Sequence, residues 1–178
     1  MATPDIHLVE RAQAGSAEAF GQLYAYYAQE LYRFAYYYLG SREEAEDAVQ
    51  DAVCAAFQSV GALRRAGAFR AWLFAILLNT CKRHIASVQQ RRLTSPLEEA
   101  QQLAEDECPD ALLSALELRD AIYALSEEER GILLLSVIGG YKSHEIAKAL
   151  GCPSGTVRSK LSRSLAKLRM AAEKESLS

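Results

Sequence analysis

The chain has 178 residues, 50% apolar and 24% charged, with a formal net charge of −3. That balance suits a globular protein of one domain or two small ones. No stretch reaches the ~18 apolar residues of a membrane span, and the N-terminus MATPDIHLVE lacks the apolar run of a signal peptide, so neither is expected.

The charge is unevenly placed. Residues 1–86 carry a net −1, residues 87–118 a net −5 and residues 119–178 a net +3. Only the C-terminal part has the sign that phosphate contact requires. The four cysteines, Cys54, Cys81, Cys108 and Cys152, form no CxxC pair. Reduced thiols and a cytoplasmic location are expected. Cys54 and Cys81 fall on apolar helix faces and read as core. His7, His84 and His144 stand at no ligand spacing to one another or to these cysteines, so no metal and no cofactor is expected.

Helical periodicity runs almost throughout, and no segment alternates as a half-buried strand would. The spacing of Phe20, Leu23, Tyr27, Leu31, Phe34 and Tyr38 predicts a long helix over 17–39. Ser41-Arg-Glu-Glu44 reads as a capping box. It opens a second helix whose inner face is Ala45, Ala48, Val49, Ala52, Val53 and Phe57. A loop with Arg64 and Arg65 follows. A third helix begins near Phe69, with Trp72, Leu73, Ile76 and Leu77 inward, and continues through Asn79, Lys82 and Arg83.

Residues 87–110 are polar, acidic towards their end and marked by Pro96 and Pro109; they read as a linker. A second helical domain is predicted from Ala111. Ser126-Glu-Glu-Glu129 is another capping box, opening a helix with Ile132, Leu133, Leu135 and Val137, which Gly139 and Gly140 end.

His144 to Arg169 then reads as a helix, a turn at Gly151 and a second helix with five basic residues and no acidic one. This is the pattern of a helix-turn-helix that lays its second helix in the DNA major groove. Pro153 bars continuation of the first helix, and Ser154 is a candidate N-cap for the second. Val157, Leu161, Leu165 and Leu168 form the predicted apolar stripe; Thr156, Lys160, Arg163 and Lys167 form the basic one. The fold class is therefore all-α: two small helical domains, 1–86 and 111–178, joined by a flexible acidic linker over 87–110. There is no catalytic constellation, phosphate-binding glycine loop or metal motif, so an enzyme is not expected.

EEAEDAVQDAV (Glu43 to Val53), followed by AFRAWLFAILLNTCKRHI (Ala68 to Ile85), resembles region 2 of bacterial sigma factors. Leu125 to Arg169 resembles region 4. The chain as a whole looks like the two-domain extracytoplasmic-function (ECF) group, over roughly Ala17 to Met170. Cys54 and Ala55 depart from the usual pattern, in which a bulkier apolar residue follows the acidic helix.

The resemblance implies a sigma factor that binds core RNA polymerase and directs promoter-specific transcription initiation under an anti-sigma factor. It implies that Asp47, Gln50 and Asp51 meet the β′ clamp helices, and that the second domain meets the β flap. Arg64, Arg65, Arg70, Asn79, Lys82 and Arg83 would meet the melted −10 element. Arg158, Ser159, Lys160, Ser162, Arg163 and Lys167 would meet the −35 element of promoter DNA. The acidic linker would run through the polymerase active-site channel. The alternatives are a stand-alone helix-turn-helix regulator, which would bind a palindromic duplex without polymerase, and an interaction protein that does not read DNA.

Overall fold

In the computed structural model, residues 6–94 and 116–175 are described, and among them every regular element is helical. The N-terminal unit holds α1 (Ile6–Gln13), α2 (Ala17–Leu39), α3 (Arg42–Ser59) and α4 (Phe69–Thr94). Two 3₁₀ turns, Val60–Ala62 and Ala66–Ala68, link α3 to α4. The C-terminal unit holds α5 (Leu116–Tyr123), α6 (Glu127–Val137), α7 (Ser143–Leu150) and α8 (Ser154–Glu175). Pro96, Cys108, Pro109 and the predicted helix start near Ala111 lie outside the described residues. Helix α4 runs on past residue 86, into the stretch read as linker.

Local signals set the helix ends. The Ser16 hydroxyl accepts the Ala19 N–H and starts α2; Gly40, at φ 85°, ends it by returning its N–H to the Tyr36 carbonyl. Ser41 accepts the Glu44 N–H at 3.3 Å and starts α3. At α6 both halves of the capping box form: Ser126 takes the Glu129 N–H, and the Glu129 carboxylate takes the Ser126 N–H. Each such cap is worth about 1 kcal/mol.

The predicted stripe of α2 is buried along its whole length, from Phe20 to Tyr38. Its last turns are buried all round, since Ala35, Tyr36 and Tyr37 are covered as well. The cause is the second unit, as α2 packs against both α5 and α6. Gly131 of α6 permits the close approach: a Cβ there would lie 3.3 Å from Leu78 Cδ1 and 3.4 Å from the Tyr38 ring. The two units therefore share one apolar core, with each fully buried Leu or Phe contributing roughly 1.5–3 kcal/mol.

Several predicted faces are corrected. Phe57 is 45% exposed, and Ala56 takes its place in the core. At about 100° per residue from Ala45, Ala56 lies near the centre of the α3 face and Phe57 about 120° away. Cys54 is likewise exposed, while Cys81 is buried. In α8 the covered stripe is Val157, Leu161, Ser164 and Leu168, and Leu165 is 42% exposed. From Val157, Ser164 falls at about −20° and Leu165 at about 80°, so the small polar residue takes the core position. Val137 is exposed at the end of α6, where Leu134 is buried instead. Ser154 is the first residue of α8 rather than its cap; the Pro153 carbonyl accepts the N–H groups of Thr156 and Val157.

Candidate nucleic-acid interface

The helix-turn-helix forms as α7, a turn and α8. Ile146 and Ala147 anchor α7 in the core. Gly151 makes the turn at φ 64°, a left-handed conformation that costs a side-chain-bearing residue more, and its N–H returns to the Ala147 carbonyl. The Glu145 carboxylate accepts the Lys142 N–H at 2.8 Å, which steadies the start of α7.

Helix α8 presents Arg158, Ser159, Ser162 and Arg163 to solvent. They lie near its N-terminal end, the end that a recognition helix inserts into the groove. Arg163 Nε leans 3.4 Å from the Ser159 carbonyl. Two further cations of α8 are engaged by the start of α6. Lys160 is half-buried and pairs with Glu128; Lys167 reaches Glu129 at 3.5 Å. Hydrogen bonding from the Ser126 backbone holds Glu129 below its usual carboxylate value, against the effect of burial, and Lys167 adds to the lowering.

Arg64 and Arg65 are exposed between the two 3₁₀ turns. Asn79, Lys82 and Arg83 are exposed along α4, with Arg83 Nη2 3.1 Å from the Thr80 hydroxyl. Arg70 differs from these. Its guanidinium donates to Glu30 at 2.8 Å and lies over the rings of Phe74 and Tyr141 at 5.5 and 5.3 Å. Burial works against this cation, but Glu30 and the Tyr141 phenol outweigh it and raise its pKa. Burial also pushes the neighbouring Tyr27 phenol up to about 12, so that ring stays neutral.

Asp47, Gln50 and Asp51 are exposed on α3. Asp51 is tied to α4 through His84 Nε2 at 3.1 Å, while Asp47 and Gln50 lie one turn apart on the outer face. Trp72 is half-buried and lines, with Asn79, a groove of about 640 Å³ between the two units. Leu135, Tyr141 and Ile146 form part of its opposite wall.

The sequence reading missed α1, the Glu30 partner of Arg70, and Arg130. The signal for α1 was present: Val9 and Ala12 are one turn apart, and Gly15-Ser16 forms a stop and a new cap. Arg130 gave no signal, because its partners are backbone carbonyls.

The profile of Sigma-70 region 2 matches residues 23–93, and that of Sigma-70 region 4 matches residues 115–168. The ECF RNA polymerase sigma-E factor of Escherichia coli K12 is 32% identical over 168 residues, covering 88% of this chain and 87% of the relative. The chain belongs to the ECF RNA polymerase sigma factors. The ECF sigma factor BldN of Streptomyces coelicolor is 32% identical over 159 residues, covering 86% of this chain and 60% of that longer relative. The fold is that of the sigma factor RpoE from Bartonella quintana, solved in complex with the anti-sigma factor NepR. The TM-score is 0.78 at 24% identity, over 88% of this chain and 98% of that one. As a sigma factor, the protein serves promoter-directed transcription initiation.

Proposed function

We propose that this sigma factor divides its contacts among three surfaces. The outer face of α8, through Arg158, Ser159, Ser162 and Arg163, reads the −35 element; Lys160 and Lys167 flank it and serve phosphate. Arginine pairs with guanine edges, and hydroxyls reach bases or phosphate. Arg64, Arg65, Asn79, Lys82 and Arg83 take the melted −10 strand, and Arg70 joins them when Tyr141 leaves. Asp47 and Gln50, with Asp51 beside them, dock on the β′ clamp helices by charge-assisted contact; the second unit meets the β flap. The chain acts without catalysis of its own, in the cytoplasm.

The observation that carries this reading is the exposed cluster on α8, set at the groove-entering end of a formed helix-turn-helix. Packing between the units adds a constraint. A compact chain of this length has a radius of gyration of roughly 16 Å, whereas −35 and −10 elements about 25 base pairs apart lie roughly 85 Å apart on duplex DNA. The units must therefore separate to engage both elements, with the acidic segment as tether. An anti-sigma factor belongs to the same scheme as the partner that keeps the protein from polymerase, as the Bartonella relative's assembly with NepR suggests.

Run-off transcription with purified core RNA polymerase on pooled promoters tests the proposal. Specific transcripts are expected to appear with the protein and to vanish with Arg163→Ala or Asp47→Ala. Tight duplex binding without polymerase, and no added transcripts, would favour the stand-alone regulator.

A further inference from the structure

Helix α1 lies against both 3₁₀ turns that frame the arginine loop. It buries Val9 and Ala12 almost completely and leaves Gln13 at its C-terminal end, facing the loop. The Gln13 side-chain amide donates to the Leu63 carbonyl at 2.5 Å, across 50 residues of sequence. The Leu63 carbonyl belongs to the same planar peptide unit as the Arg64 N–H, so holding that oxygen fixes the plane from which Arg64 departs. The loop is closed on either side of this point. Leu63 N–H returns to the Val60 carbonyl at 3.1 Å, and Ala68 N–H returns to the Arg65 carbonyl at 2.9 Å. Val60 is buried, and Leu63 packs on the core. Between these ties, Gln13 holds the loop from outside through the Leu63 carbonyl, directly before the exposed Arg64 and Arg65.

We infer that Gln13 is a positioning residue for −10 recognition: its amide sets the orientation of the Arg64–Arg65 loop against the melted strand. This rests on the proposed −10 role of that loop. The physical reason is that a short loop with two long flexible cations binds a strand selectively only if its backbone is held before contact. Gln13 touches no DNA in this scheme; it acts through the Leu63 peptide.

The test uses the full chain with core RNA polymerase and a library of promoters with randomised −35 and −10 elements, read by sequencing the run-off transcripts. Permanganate reactivity of unpaired thymines reports opening on the promoters recovered. Gln13→Glu and Gln13→Met keep the size of the side chain and lose the donor. Loss of one such hydrogen bond is expected to lower opening about 2- to 10-fold. It should also reorder the −10 sequences used while leaving the −35 preference and core affinity unchanged. In an Arg64→Ala/Arg65→Ala background, Gln13→Met should add no further loss of opening, since Gln13 acts through those two side chains.

Unchanged opening and unchanged −10 ranking, with Arg64→Ala itself impaired, would overturn the inference and leave the −10 reading standing. A fall that preserves the −10 ranking and adds to that of the Arg64→Ala/Arg65→Ala variant would assign Gln13 to folding alone, and would overturn it too. If Arg64→Ala and Arg65→Ala both open promoters normally, the −10 reading of the loop fails and the inference falls with it.

Discussion

Arg130 Nη1 donates to the Tyr38 carbonyl at 2.8 Å, joining α6 of the second unit to the last turn of α2 in the first. The same guanidinium donates to the carbonyls of Ile122, Tyr123 and Leu125. Tyr123 adds its hydroxyl to the Tyr36 carbonyl at 3.3 Å. The last carbonyls of a helix lack intrahelical partners and carry partial negative charge, so a cation suits them. Burial lowers the Arg130 pKa, and the carbonyl dipoles replace the water it has lost. One side chain thus closes the α5–α6 turn and fastens it to the other unit.

Arg130→Met keeps the aliphatic stem and removes every donor. We expect a loss of about 2–4 kcal/mol from the charged hydrogen bonds to carbonyls, read by urea unfolding. We also expect a larger radius of gyration in solution scattering, because α2 and α6 lose their polar tie. A variant as compact and as stable as the parent would show that apolar contact around Gly131 holds the units together by itself.

Arg163 and Lys160 should separate in binding assays. Arg163→Ala is expected to weaken −35 duplex binding by about 1–3 kcal/mol, and to relax base preference at one position if it reads a base edge. Lys160→Ala should cost less, because its ammonium already pairs with Glu128. Binding isotherms at several salt concentrations check this: loss of a phosphate contact lowers the slope of log K against log salt by about 1. Equal losses for the two variants would contradict the ranking.

The α6 cap makes stability depend on acid. Glu129 has a lowered pKa in the folded chain, so its contribution is present above the ordinary glutamate value of about 4.3. That contribution is lost as pH falls through the lowered folded value. Glu129→Gln should therefore be less stable than the parent near neutrality, with the difference closing on acidification. Ser126→Ala, which removes the other half of the cap, should cost about 1 kcal/mol. Urea midpoints across pH 3–7 would measure both.

The thiols should differ sharply in reactivity. Burial pushes Cys81 up to about 12, leaving little thiolate at neutral pH, and no solvent reaches it. Cys54 is exposed. A thiol-reactive chromogen is expected to modify Cys54 promptly and Cys81 only on unfolding. Prompt modification of Cys81 in the native protein would mean that the α4 core opens readily.

The sequence by itself determined most of the helices and several of their ends. The α2 stripe, the Ser126 capping box and the Gly151 turn are local matters of 3.6-residue periodicity, side-chain acceptors and positive φ, and each stands where the residues put it. The acidic face of α3 and the basic face of α8 were legible for the same reason. Faces at the margin of a stripe were not. Phe57 and Leu165 are apolar but lie well off the centre of their faces, whereas the neighbouring Ala56 and Ser164 lie near it, and close packing takes the residue that fits the space rather than the most apolar one. Tertiary structure alone decided which cations are free. Arg70 pairs with Glu30, 40 residues away, under the ring of Tyr141, and Lys160 pairs with Glu128; neither spacing is periodic. It also decided that the two units pack together, because the groups that join them, Arg130 and the carbonyl of Tyr38, meet through a backbone atom that every residue possesses and no sequence pattern marks.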